Sequence, residues 1–106
     1  MNENQVTNNS LIESGMESWE WASSRMKVVN IILDEYGTKL PLKDTKIGLC
    51  LHITKETAVL VLALKRLGGN ISICSANPLS VQDNIAAFLK SVGVKVFARR
   101  GETKNE

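Results

Sequence analysis

A chain of 106 residues, 43% hydrophobic and 23% charged, has the length of one small domain and the composition of an ordinary globular protein. A net charge of +2 without a clustered basic face argues against nucleic acid or a membrane surface as partner. Two cysteines and one histidine supply neither a disulfide framework nor paired metal-ligand spacing, and the polar amino terminus carries no apolar signal region, so a cytoplasmic protein without a metal is expected.

In chain order, residues 1–9 are poor in apolar side chains and are expected to form a disordered tail, with the folded part running from 10 to 106. Ser10 is placed to cap a helix. From there Gly15, Trp19, Ala22, Met26, Val29, Leu33 and Tyr36 recur every three or four residues, a helical stripe over about six turns. The pattern fits one bent helix or two, and Gly37 supplies the stop. Pro41 and the turn-forming Lys43-Asp44 lead into Lys46 to Ile53, an almost wholly apolar run that predicts a short buried strand. Thr54 to Leu67 is predicted helical, with Thr54 as cap, Glu56 in the first turn and Gly68-Gly69 as terminator. Asn70 to Cys74 is a second strand, and Asn77-Pro78 breaks the chain. A helix then opens at Ser80 with Asp83 three residues on, runs to about Ser91 and stops at Gly93. Val94 to Ala98 is a third strand, and Arg99 to Glu106 a polar tail with Arg99-Arg100 as a solvated strand end. Cys50 and Cys74, each inside an apolar run, are expected to be buried, reduced thiols without a catalytic role.

Strand, helix, strand, helix, strand with short links predicts an α/β architecture: an N-terminal helical segment followed by a βαβαβ three-stranded parallel, Rossmann-like half-domain with right-handed crossovers. In such sheets ligands bind beyond the carboxyl ends of the strands. Two polar loops fall there, Leu51 to Thr57 and Ser75 to Asp83, and their position at equivalent ends of neighbouring strands predicts that they converge. Neither is a glycine-rich phosphate cradle, so a ligand without a pyrophosphate is expected.

Those two loops carry a family resemblance. The run Cys50-Leu51-His52-Ile53-Thr54-Lys55-Glu56-Thr57-Ala58 resembles the Leu-His-x-Thr-x-Glu-Thr-Ala signature of adenosylhomocysteinases. The run Asn77-Pro78-Leu79-Ser80-Val81-Gln82-Asp83 resembles that family's Asn-Pro-Leu-Ser-Thr-Gln-Asp motif. Trp21-Ala22 with Met26, Pro41-Leu42-Lys43, Leu67-Gly68-Gly69 and Gly101-Glu102-Thr103 agree in the family's order. The resemblance implies the front part of a substrate-binding domain from an enzyme that reversibly hydrolyses S-adenosylhomocysteine to adenosine and homocysteine, using a tightly held NAD to oxidise the ribose 3′-hydroxyl. Carried over position by position, Glu56 and Gln82 would hydrogen-bond the adenine edge, Thr54 would contact the nucleoside with Thr57 beside it, and His52 would reach the ribose hydroxyls. The catalytic lysine and aspartates, the NAD-binding domain and a C-terminal NAD-contacting tail would lie downstream of Glu106, which makes this chain a truncated family member without catalytic residues or cofactor of its own. Two positions depart from the family: Val81 stands where threonine is usual, and Lys27 follows Met26 where proline is common, so a straight helical entry is expected.

Each site residue also has a purely structural reading. His52 fits a semi-buried histidine bonded to backbone, Glu56 a first-turn acid favoured by the helix dipole, and Thr54 and Ser80 N-caps. Asp83 fits a capping partner, whereas Gln82 has no strong capping duty at its position. Trp19 and Trp21 are expected to be packing residues. Three functions follow: an inactive homologue carrying part of an adenosine-binding edge, a weak binder of adenosine or S-adenosylhomocysteine, or an assembly subunit that pairs with itself or with a complementing downstream fragment.

Overall fold

The computed structural model describes residues 3–77 and 81–97; the expected Asn77-Pro78 break, the Ser80 cap, Ala98 and the polar tail from Arg99 lie wholly or partly outside the described residues. The apolar stripe from Gly15 to Tyr36 folds as two helices, α1 (Glu3–Ser23) and α2 (Lys27–Tyr36). Helix α1 begins at Glu3, seven residues ahead of the predicted Ser10 cap, so residues 3–9 are helical where a disordered run is predicted from composition. Once a packed segment has met the cost of nucleation, each added turn needs little intrinsic propensity, and a polar extension can follow.

The break at residues 24–26 has a local cause that apolar periodicity does not reveal. The last carbonyls of α1 are taken by side chains: Trp21 O accepts from Ser24 Oγ at 2.7 Å and Arg25 Nη1 at 3.3 Å, and Ser23 O accepts from Asn30 Nδ2 at 2.8 Å. Met26 leaves the helical region at φ −96° and ψ 71°. The straight entry expected from Lys27 is therefore not formed. Helix α2 ends at Tyr36 as predicted, with Gly37 still in right-handed helical geometry.

Beyond the turn the chain alternates β1 (Lys46–Leu51), α3 (Lys55–Arg66), β2 (Asn70–Ser75), α4 (Asp83–Ser91) and β3 (Lys95–Val96). The strands pair in parallel in the order β1-β2-β3, with Lys46 opposite Asn70, Leu51 opposite Ser75, and Ile73 opposite Val96. The α/β half-domain predicted from the sequence is formed, with β1 two residues shorter and β3 reduced to two residues. Gly68 and Gly93, which end α3 and α4, adopt φ +106° and +92°, a region costly for any residue with a Cβ. At Gly68 a Cβ would also come within 2.9 Å of the Lys43 backbone nitrogen.

Among the described residues, only one face of the sheet is covered. Ile71 and Ile73 of β2 pack with Ala58 and Val61 of α3 and with Ile85, Ala86 and Leu89 of α4 in one buried cluster. Helix α1 lies against α4 and α3 as an outer layer. Trp19 meets Phe88 with ring centroids 5.7 Å apart, and Gly15 lets the backbones approach. Burying a side chain such as Ile73 or Leu89, both fully enclosed, contributes about 1.5–3 kcal/mol each. The other face is open, which corrects two predictions. Strand β1 is not buried on both sides: Lys46, Gly48 and Cys50 are exposed while Ile47, Leu49 and Leu51 are half-buried. Cys50 is exposed and Cys74 half-buried, because both point away from the helices. No helix of the described residues is long and apolar enough to cross a membrane.

Candidate functional site

The carboxyl ends of β1 and β2 form one rim. Leu51 and Ser75 are the last pair in register, so the chain leaves both strands at the same level. The Ala76 amide donates to the Leu51 carbonyl at 3.3 Å, continuing the ladder past the strand ends. The decisive contact is one step further: the Gln82 amide donates to the Ile53 carbonyl at 3.0 Å. Ile53 and Val81 are both buried, and each anchors one loop in the same core cluster. The two loops that the sequence predicts to converge do meet, backbone to backbone.

Thr54 turns the chain into α3 from an extended conformation, and its carbonyl accepts the first helical bond from Ala58 at 2.9 Å. Its hydroxyl makes no cap bond to the backbone; it donates to Thr57 Oγ1 at 3.4 Å, so the predicted side-chain cap is not formed. Gln82, rather than Ser80, precedes the first residue of α4, and it too makes no side-chain cap bond. His52, Glu56 and Gln82 are exposed, and Thr54 and Thr57 are half-buried. Among the described residues no hydrogen bond joins the His52, Glu56 and Gln82 side chains to one another; the loops share a rim on which these three side chains are exposed. The exposed position of His52 sets aside its reading as a semi-buried histidine.

Glu56 is held below the usual carboxylate range, chiefly because its own backbone N–H bonds the carboxylate; slight desolvation opposes this, and Lys55 Nζ at 3.4 Å adds to the lowering. Near neutral pH it is an anion that can only accept hydrogen bonds. The rim also has a wall that the sequence does not reveal. Trp21, predicted to pack, is 51% exposed; Arg25 lies over its ring at 4.0 Å and Lys55 Nζ at 5.5 Å. Glu17, Ser18, Trp21 and Lys55 line a recess of about 430 Å³. The available signal is spacing: residues two apart on a helix point to different sides, so Trp19 and Trp21 cannot both face the core.

The sequence profile of the S-adenosyl-L-homocysteine hydrolase family matches residues 3–106. The chain belongs to that family. It is 43% identical over 102 residues to the adenosylhomocysteinase of Sulfolobus acidocaldarius, covering 96% of this chain and 25% of the relative. The adenosylhomocysteinase of Aquifex aeolicus is 44% identical over 96 residues, 90% of this chain and 23% of its own length. That of Pyrobaculum aerophilum is 40% identical across all 106 residues, 24% of its length. The chain thus spans about a quarter of the length of the curated adenosylhomocysteinases it matches. Both rim loops fall inside the matched stretch, including the residues that carry the resemblance.

Proposed function

We propose that this chain supplies one wall of a nucleoside site that takes the adenosine half of S-adenosylhomocysteine, and that by itself it does not hydrolyse that thioether. The observation that carries the reading is the 3.0 Å hydrogen bond from Gln82 to Ile53, which ties the two family loops to one rim. Glu56, an acceptor, suits the exocyclic amine of adenine; the Gln82 amide both donates and accepts along the ring edge. Thr54 and Thr57 face the nucleoside, and His52 orients the ribose hydroxyls. These groups bind and position, and none is assigned a proton-transfer step. The parent reaction, reversible hydrolysis to adenosine and homocysteine, is carried by the remaining three quarters of the relatives' length, to which the resemblance assigns the acid–base and redox groups.

NAD supplies the redox chemistry in the family, and the glycines described here do not fit its pyrophosphate. Gly68, Gly69 and Gly93 lie before the amino ends of β2 and β3, Gly48 lies inside β1, and Gly15 and Gly37 belong to the helical segment. No strand-to-helix turn on the rim presents a glycine cradle among the described residues. No step is routed through NAD.

An open rim leaves its polar groups hydrated, so each bond to ligand replaces one to water and affinity is low, with Kd in about the millimolar range. The proposed setting is the cytoplasm. Calorimetric titration with adenosine and inosine, paired with a turnover assay on S-adenosylhomocysteine with NAD present, tests the reading. Weak adenosine binding without turnover is expected. Turnover that survives repurification, or inosine bound as well as adenosine, contradicts it.

A second reading, assembly, is favoured by the uncovered sheet face bearing Gly48, Cys50, Ser72, Cys74 and Phe97. Its cover would be further polypeptide, either another copy of this chain or the remainder of the family sequence. Sedimentation alone and with a polypeptide encoding that remainder tests it. A larger species in either experiment supports assembly, and a monomer in both contradicts it.

A further inference from the structure

The open face of the sheet carries a feature that the nucleoside reading does not use. Cys50 of β1 and Cys74 of β2 are direct register partners on neighbouring parallel strands. Neighbouring strands lie about 4.8 Å apart, and side chains at paired positions point to the same face. Both cysteines are free, Cys50 is exposed and Cys74 half-buried. They line one groove of about 340 Å³, with Gly48 and Ser72 preceding them on the strands and Phe97 at its border. Phe97 is 65% exposed and is fixed there by its amide, which donates to the Ile73 carbonyl at 3.0 Å. Gly48 adds no side chain, and nothing lies within 4 Å of where its Cβ would be, so the approach to the sulfurs is open.

The neighbouring Cys50 side chain holds the Cys74 thiol above its ordinary value, and burial adds to the effect. Among the described residues no group of three or more His, Cys, Asp or Glu side chains forms a metal-ligating cluster, so a tetrahedral zinc site is not built here. Two thiols with no further protein ligand suit a soft centre that needs only two sulfur bonds and brings its own remaining substituent.

We propose that Cys50 and Cys74 form a two-thiol binding site for trivalent arsenic, with the groove beside Phe97 accommodating an aryl substituent. With phenylarsine oxide the chemistry balances without oxidation or reduction. Two As–S bonds form, two S–H bonds and the As=O bond break, and the oxygen leaves as water with both protons. Closing the second bond is intramolecular, so a two-thiol adduct outlasts a one-thiol adduct by the effective concentration of the neighbouring sulfur. This site lies on the sheet face rather than the rim, and it stands or falls separately from the nucleoside reading.

The test treats the full 106-residue chain with phenylarsine oxide and follows intact mass and free thiol content. One arsenical per chain, two thiols consumed, and an adduct retained in excess glutathione but stripped by dimercaptopropanol is the expected result. Cys50→Ser and Cys74→Ser should each reduce retention in glutathione at least about tenfold, since each leaves a single As–S bond to the protein. Native chain that consumes one thiol per arsenic overturns the proposal, as does either variant that retains the adduct as well as the native chain. The thiol count on native protein decides the matter even if a serine variant folds poorly.

Discussion

Gln82 and Ile53 are joined through their backbones, the amide of one donating to the carbonyl of the other at 3.0 Å, while the Ile53 side chain is fully enclosed in the core. One residue therefore serves two structural levels, since its side chain anchors the β1 exit and its carbonyl holds the loop before α4. Ile53→Ala should cost about 2–5 kcal/mol by urea unfolding, because it opens a cavity in a closed cluster. Ile31→Ala, at a 61% exposed position on α2, should change stability by no more than about 0.5 kcal/mol.

Binding variants separate the roles of the rim residues. Glu56→Gln removes a charged acceptor, worth about 1.5–3 kcal/mol when it is hydrogen-bonded, and should weaken adenosine at least about tenfold by calorimetry. It should also narrow the gap between adenosine and inosine, since the amide can donate as well as accept. Thermal unfolding should be nearly unchanged, because the side chain is 58% exposed.

Glu56 also gives a pH prediction. Its folded-state value lies below the ordinary one, so the stabilisation it contributes is present above the unfolded glutamate range and is lost as pH falls through the depressed folded value. A carboxyl-carbon NMR titration should place its midpoint below the ordinary glutamate value. Adenosine affinity should hold down to that midpoint and drop beneath it. A Glu56 midpoint at or above the ordinary glutamate value contradicts the description of this side chain.

Gly15 is a packing position rather than a point of flexibility. An added Cβ would collide with the Asn84 carbonyl and come within 2.7 Å of Phe88 Cβ, and the Asn84 backbone cannot easily give way. Gly15→Ala gains helix propensity, but the overpacking should leave a net loss of about 1–2 kcal/mol in chemical unfolding.

The alternation of strands and helices was legible because Gly68-Gly69, Asn77-Pro78 and Gly93 punctuate apolar runs, and the meeting of the two loops follows once the strands are parallel neighbours. Three features were not legible, each for a physical reason. The runs Lys46 to Leu51 and Asn70 to Ser75 have apolar or small residues at nearly every position, so their patterns do not say that one face stays open. The helix break depends on Ser24, Arg25 and Asn30 capturing carbonyls, a contest between side chain and backbone that apolar periodicity does not register. The placement of Trp21 beside Lys55 depends on how α1 lies across the α3–α4 layer, a tertiary fact.

The central claim, that two loops form one nucleoside-binding wall, is tested most directly by titrating isotope-labelled chain with adenosine while following backbone amide signals. The account predicts that the signals of His52 to Thr57 and of Gln82 and Asp83 shift together along one saturation curve, with β3 undisturbed. Shifts confined to a single loop, or no shift at millimolar adenosine (about the Kd expected for an open rim), would contradict it.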